Sequence, residues 1–259
     1  MQRIFPLANA ANFRELGGYP TEDGRQVKWR KLIRCGSLSY LTAAEEKQIL
    51  AYGLKYDIDF RSDDETEIYP DTIKGQVIYH NAKVYPFMNS VFKNLGIVAS
   101  MKLGELNFME EAYVQMLADP HAQVAYREFF TYLLANDKDG ESLAFHCAAG
   151  KDRTGVAAFL ILNALGVKKQ AVMADYLLTN LAYSNDSVEQ VNRLLTNTPQ
   201  NQLADKLNTH LAVIPEGIEI MYKTCEVLAG SVENYLVTKL GLRRADLASL
   251  KEIYLEEVD

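Results

Sequence analysis

Along the first two thirds of the chain, short apolar or alternating runs give way repeatedly to stretches of helical periodicity. QVKW at 26–29 and LIRC at 32–35 are β-leaning runs set among Gly17-Gly18, Pro20 and Asp23-Gly24, a pattern that predicts hairpins and tight turns. LTAAEEKQILAYG at 41–53 carries Thr42 with Glu45 three residues on, a capping-box signature, and Gly53 as a stop, so a helix is expected there. LKYDIDF at 54–60 alternates like a strand and ends at Arg61-Ser62-Asp63-Asp64-Glu65, and QVIYH at 76–80 predicts a further strand. Residues 86–120 hold helical pieces broken by Gly96 and Gly104, which reads as a helical insertion or lid. Ala122 to Ala135 is helical in pattern, Asp137 to Gly140 is a turn, and LAFHC at 143–147 is a buried strand. From Arg153 a helix is expected to Leu165, stopped by Gly166. The remainder predicts helices over 168–183, 187–195, from Pro215 onward, over 232–240 and over 245–256. Strands alternating with helices and followed by a helical tail imply an α/β fold with a short, mainly parallel central sheet flanked by helices. A chain of 259 residues accommodates this as one domain spanning 1–259, with 86–120 as its lid.

Charge narrows the possible ligands. The formal net charge is −7, which opposes general attraction to nucleic acid or to an anionic membrane, so any bound anion must be held by a local site. Three cysteines, Cys35, Cys147 and Cys225, form an odd set without paired spacing, which argues against a disulfide framework and for a reducing compartment. The first residues lack the uninterrupted apolar stretch of a signal peptide, and the longest apolar run, VAAFLILNALGV, is too short to span a bilayer. A cytoplasmic protein without stable membrane insertion is expected. His80, His121 and His210 are scattered without metal-ligand spacing, so neither a metal nor another cofactor is assigned.

The chemistry concentrates in HCAAGKDRTG at 146–155, between the LAFHC strand and the helix that follows it. A tight, glycine-containing loop that opens a helix can turn the N–H groups of Ala148, Ala149, Gly150, Lys151, Asp152 and Arg153 inward as a cradle for an anion. Arg153 adds a planar fork that grips two phosphoryl oxygens, a geometry a lysine cannot copy. Cys147 lies at the base of that cradle, where positive surroundings favour the thiolate and hence a nucleophile aimed at phosphorus. Thr154 can donate its hydroxyl to the sulfur, and His146 can fix the loop through backbone hydrogen bonds. Cys35 and Cys225 fail the same test, with Leu41 and Ser231 at the arginine position. A Walker A loop is excluded because Gly150-Lys151 precedes Asp152 rather than a hydroxyl residue.

The HCxxGxxRTG pattern resembles the signature of the cysteine-dependent protein tyrosine phosphatases. With NFRELGGY at 12–19, IDFRS at 58–62 and YLVTKLGLRRADLASLKEIYLE at 235–256, the chain resembles the bacterial and fungal tyrosine phosphatase family over nearly its whole length. The resemblance implies the protein tyrosine phosphatase fold and a phosphocysteine intermediate. Its implied substrates are phosphotyrosine proteins, and for several members phosphoinositides or phosphoserine and phosphothreonine. Lys151 resembles the loop lysine of 3-phosphoinositide phosphatases, and Asp152 the loop aspartate of the myotubularins, which is thought to protonate the leaving oxygen. No Trp-Pro-Asp loop exists, since the single tryptophan, Trp29, precedes Arg30. The general acid is therefore expected at Asp152 first and at Asp59, at the IDFRS strand end, second, with a structural role as a turn residue or arginine partner the alternative for Asp59. Arg14 and Arg61 either extend the positive field around the pocket or are structural, satisfying carboxylates or carbonyls. Two other classes compete: a rhodanese-like sulfurtransferase, against which the Arg-Thr-Gly ending speaks, and a phosphate-binding module without turnover, against which the paired Cys and Arg speak.

Overall fold

The computed structural model describes residues 2–86, 106, 108–183 and 213–258. Its strands are β1 (Arg14–Glu15), β2 (Gln26–Val27), β3 (Leu32–Cys35), β4 (Leu54–Asp59), β5 (Ile78–Asn81), β6 (Ser142–His146) and β7 (Leu255–Glu256). Five of them form the central sheet in the order β1-β3-β6-β4-β5. β3, β6, β4 and β5 run parallel, and β1 is an antiparallel edge on β3. Every residue of β6 is buried, as expected of a middle strand covered on both faces. Cys35, His146, Asp59 and Asn81 pair across the sheet, so the C-terminal ends of four parallel strands converge at one edge, where such sheets bind ligands.

The helices are α1 (Ala43–Tyr52), α2 (Asp63–Ile68), α3 (Phe108–Ala118), α4 (Pro120–Ala135), α5 (Arg153–Ala164), α6 (Lys169–Leu177), α7 (Thr179–Ala182), α8 (Pro215–Ala229), α9 (Val232–Thr238) and α10 (Arg244–Tyr254). Of the residues in α5 only Asn163 is not buried, so this helix, apolar on all sides, forms the centre of the larger core. A smaller core on the other side of the sheet joins Ile33, Cys35 and Ala144 to Phe13, Leu38 and Ile49. α1 has the expected caps: Thr42 and Glu45 exchange hydrogen bonds, and Gly53 ends the helix at φ 115°.

Three elements differ from the sequence expectation. The acidic run after β4 is not simply a strand end, since Ser62 and Glu65 form a second capping box that starts α2. The span 168–183 breaks at Leu178 into α6 and α7. The last helix stops at Tyr254, and Leu255–Glu256 pair with Gln26–Val27, because this register buries Leu255 against Val27. The helix expected over 187–195, and the part of the expected lid at 87–105, lie outside the described residues.

Buried charge joins the helical layer to the sheet. Asp175 of α6 accepts from Arg14 Nε at 2.9 Å, Arg34 Nη1 at 2.6 Å and the Tyr19 hydroxyl at 3.1 Å, all fully buried. Burial pushes the Asp175 carboxyl up, but the two arginines outweigh it and hold the group well below the usual carboxylate range. A depressed folded pKa contributes stability at neutral pH that is lost as acid titrates the group. Asp175→Asn strands two buried guanidinium groups and is expected to lower unfolding free energy by about 3–5 kcal/mol in denaturant titration.

Candidate active site

Residues 147–152 connect β6 to α5, and their shape is set by where their carbonyls go. The Ala148 carbonyl accepts from the Ser37 backbone N–H at 3.0 Å and the Ala149 carbonyl from the Tyr183 hydroxyl at 2.6 Å. The Gly150 carbonyl accepts from Asn12 Nδ2 at 2.8 Å and Arg34 Nη2 at 3.0 Å. With the carbonyls tied to surrounding protein, the N–H groups face the other way, and those of Gly150 and Thr154 reach the Cys147 sulfur. Gly150 is required twice over: its φ is +65°, and a Cβ there would collide with the Cys35 carbonyl and the Gly36 nitrogen.

Burial alone would raise the Cys147 thiol, but the Arg153 charge, the Thr154 hydroxyl and the two backbone N–H groups outweigh it, so its pKa lies below the ordinary thiol value. The Thr154 hydroxyl is buried and, among the described residues, bonds to no nitrogen or oxygen, which leaves it for the sulfur. Cys35 is pushed up by burial, which outweighs the nearby His146 charge, and Cys225 is pushed up by burial alone.

Arg153 is held in a defined pose. Its Nη1 and Nη2 donate to the two carboxylate oxygens of Glu65 at 2.6 and 2.8 Å, and the guanidinium stacks over Tyr85 at 4.7 Å. Glu65 is in turn the capping residue of α2 and accepts from the Ser62 N–H at 2.9 Å. Burial raises the Glu65 carboxyl, yet its bonds from Arg153 and Ser62 bring it down to about 2. Among the described residues the Arg153 Nε–H has no partner, and it is available to a phosphoryl oxygen.

Asp152 lines the same cavity as Cys147 and Arg153, a space of about 560 Å³ whose walls include Tyr85, Pro86, Met109, Ala112 and Met116. The Tyr113 hydroxyl donates to Asp152 Oδ1 at 2.8 Å and lies 2.9 Å from the Tyr176 hydroxyl. Lys151 is not part of the cavity wall; its ammonium lies 3.6 Å from Asp152 Oδ2.

Asp59 is not brought to this cavity. It is fully buried, its oxygens accepting from Arg61 Nε and Nη2 at 2.9 and 2.7 Å and from the Tyr79 hydroxyl at 3.0 Å, which leaves it no route to a leaving group. Arg61 also binds Asp71 at 2.7 Å, so it serves buried carboxylates, as Arg14 does. His146 belongs to this cluster, with Nε2 at 3.1 Å from Asp57 and 3.3 Å from Asp71. Burial opposes its charge, but the carboxylates of Asp71, Asp59 and Asp57 raise its pKa well above the usual value. The charged ring places Nδ1 at 3.2 Å from the Cys147 carbonyl and donates to it. Asp57, Asp71 and His146 are spaced as metal ligands could be, and Arg61 and the imidazolium are the cations among them.

Tyr113, Tyr183, Glu65, Asn12 and Arg34 were not singled out by sequence as site residues. Glu65 was signalled by Ser62-x-x-Glu65, the same capping pattern as Thr42 and Glu45; the others act through folds of the chain that no local pattern encodes.

A family model described as tyrosine phosphatase family matches residues 5–256. A Cupriavidus necator protein named as a tyrosine-protein phosphatase is 30% identical over 252 residues, covering 95% of this chain and 86% of that protein. A tyrosine-protein phosphatase of Nostoc commune is 34% identical over 144 residues, 56% of this chain and 46% of its own. The triple specificity protein phosphatase PtpB of Mycobacterium tuberculosis is 30% identical over 161 residues, 57% of this chain and 55% of its own.

Iodoacetate is expected to modify Cys147 of the native protein with a pH inflection below that of an ordinary thiol, sparing Cys35 and Cys225, as read by peptide mass spectrometry. Arg153→Met should move that inflection upward; an unmoved inflection would contradict the assignment of the thiolate's stabilisation to Arg153.

Proposed function

This chain belongs to the tyrosine phosphatase family, and from that premise we propose that it hydrolyses aryl phosphomonoesters of the phosphotyrosine kind by double displacement at Cys147. The observation that carries the reading is a thiol of lowered pKa at the base of inward-turned N–H groups, beside an arginine whose Nε–H has no partner among the described residues.

The phosphoryl group sits on the backbone N–H groups of residues 148–153 and on Arg153. Cys147 Sγ attacks phosphorus as the ester P–O bond breaks, and its electron pair leaves with the oxygen, which takes a proton from the Asp152 carboxyl. Water then attacks the phosphocysteine and gives its proton to the Asp152 carboxylate. The S–P bond breaks, inorganic phosphate is released, and the thiolate is restored. Thr154 and the helix N-terminus of α5 stabilise the departing thiolate.

The surrounding residues position these groups. Tyr113 fixes Asp152 through Oδ1 and leaves Oδ2 to carry the proton. Glu65 fixes Arg153 end-on so that one edge of the guanidinium faces the site. His146 holds the Cys147 carbonyl and so orients the start of the loop. The buried ion pair of Asp59 with Arg61 supports a structural role for Asp59 and leaves Asp152 as the acid. Residues 1–259 are read as a single phosphatase domain.

Met109, Met116, Ala112, Tyr85 and Pro86 suit an aromatic ring above the phosphate. Phosphoinositides are a second reading, supported by Lys151 in the loop. No described helix is long and apolar enough to cross a membrane.

Assays of purified variants on aryl phosphates test this mechanism. Cys147→Ser is expected to abolish turnover, and chelator to leave the wild type active. Asp152→Asn should slow an ester with a poor leaving group about 100-fold or more, and one with a good leaving group far less. Equal slowing of both would remove Asp152 from the role of acid.

A further inference from the structure

α3 contributes a face to the cavity that the phosphoryl chemistry does not use. Glu111 and Gln115, one helical turn apart, both line the space that holds Cys147 and Arg153. Gln115 is only 8% exposed, yet its amide bonds to nothing among the described residues, and Glu111 has no cation beside it there. The amide atoms are not among those sealed from solvent, so in a side chain otherwise enclosed they open onto the cavity and can meet a ligand with polar groups of its own. A bare aryl phosphate spends its charge on Arg153 and the loop and leaves both side chains unsatisfied.

Resting on the phosphatase reading above, we propose that Glu111 and Gln115 determine specificity, selecting a phosphotyrosine set in a peptide with a basic side chain next to it. The peptide main chain supplies both an N–H and a C=O to the Gln115 amide, and the basic flank pairs with Glu111. An inositol ring with further phosphates, or an acidic flank, would bring like charge against Glu111 within a chain of net charge −7. Lys151, the loop cation that could offset such charge, stands outside the cavity wall and faces Asp152.

The test compares two phosphotyrosine peptides that differ only in lysines or glutamates beside the phosphotyrosine, together with p-nitrophenyl phosphate and a soluble bisphosphorylated inositol headgroup. Wild type should favour the basic peptide about fivefold in kcat/KM, the upper range for a partly exposed ion pair. Glu111→Gln should erase that preference and Glu111→Lys invert it, while Gln115→Leu should lower kcat/KM for both peptides relative to p-nitrophenyl phosphate. Indifference of the wild type to flanking charge, a ratio unmoved by Glu111→Lys, or faster turnover of the headgroup than of the basic peptide would overturn the proposal. Hydrolysis of none of the substrates, p-nitrophenyl phosphate included, would overturn the phosphatase reading instead.

Discussion

The direction of one carbonyl organises the active-site loop. Asn12 and Arg34 hold the Gly150 oxygen away from the cavity from positions 138 and 116 residues distant in sequence. A peptide plane is rigid, so fixing its C=O fixes the N–H on the opposite side. If that carbonyl turned inward, it would present negative charge to an incoming phosphate and turn the N–H of Lys151, the other half of its peptide plane, away from it. The tie is itself anchored, because Arg34 is clamped by Asp175, which also clamps Arg14. A hydrogen bond of this kind adds only about 1 kcal/mol net, but an orphaned buried donor costs more, so the network is more robust than its individual bonds.

Beneath the loop the protein concentrates charge and compensates it. Three buried carboxylates, Asp57, Asp59 and Asp71, meet the cations Arg61 and His146. The balance is short of positive charge, and burial raises the Asp57 carboxyl to about 6. Above the loop the same principle sets Arg153, whose charge is shared between Glu65 and the thiolate. The arginine is thereby oriented before substrate arrives, so little of the binding energy goes into ordering it. Tyr113 does the same for Asp152 from α3, so Arg153 and Asp152 are each held by a separate element.

Much of this was legible in the sequence because it is local. HCAAGKDRTG specifies its own strand, turn and helix, and the apolar run after Arg153 announces the central helix. A short, mainly parallel sheet followed from the alternation of elements, though its five strands and their order did not. What escaped is non-local: Tyr113 and Tyr183 meet the loop only once the chain has folded, and nothing around them marks the contact. Asp59 shows the converse. Its place at a strand end next to the loop suggested an acid, and the register does put it there, but Arg61 two residues on and Tyr79 on β5 consume its oxygens. Local sequence could place it at the site's edge without saying which way it would face. The α2 helix was overlooked although its capping box was readable, because the acidic run looked like a solvated strand end.

In the proposed mechanism phosphorus passes to the Cys147 sulfur before it reaches water. Acid quenching of the enzyme during turnover of an aryl phosphate, followed by peptide mass spectrometry, tests it most directly. The account predicts the mass of one HPO3 on the peptide containing Cys147, absent from the peptides of Cys35 and Cys225 and absent in Cys147→Ser. Release of phosphate in a pre-steady-state burst with Cys147 unmodified throughout would contradict it.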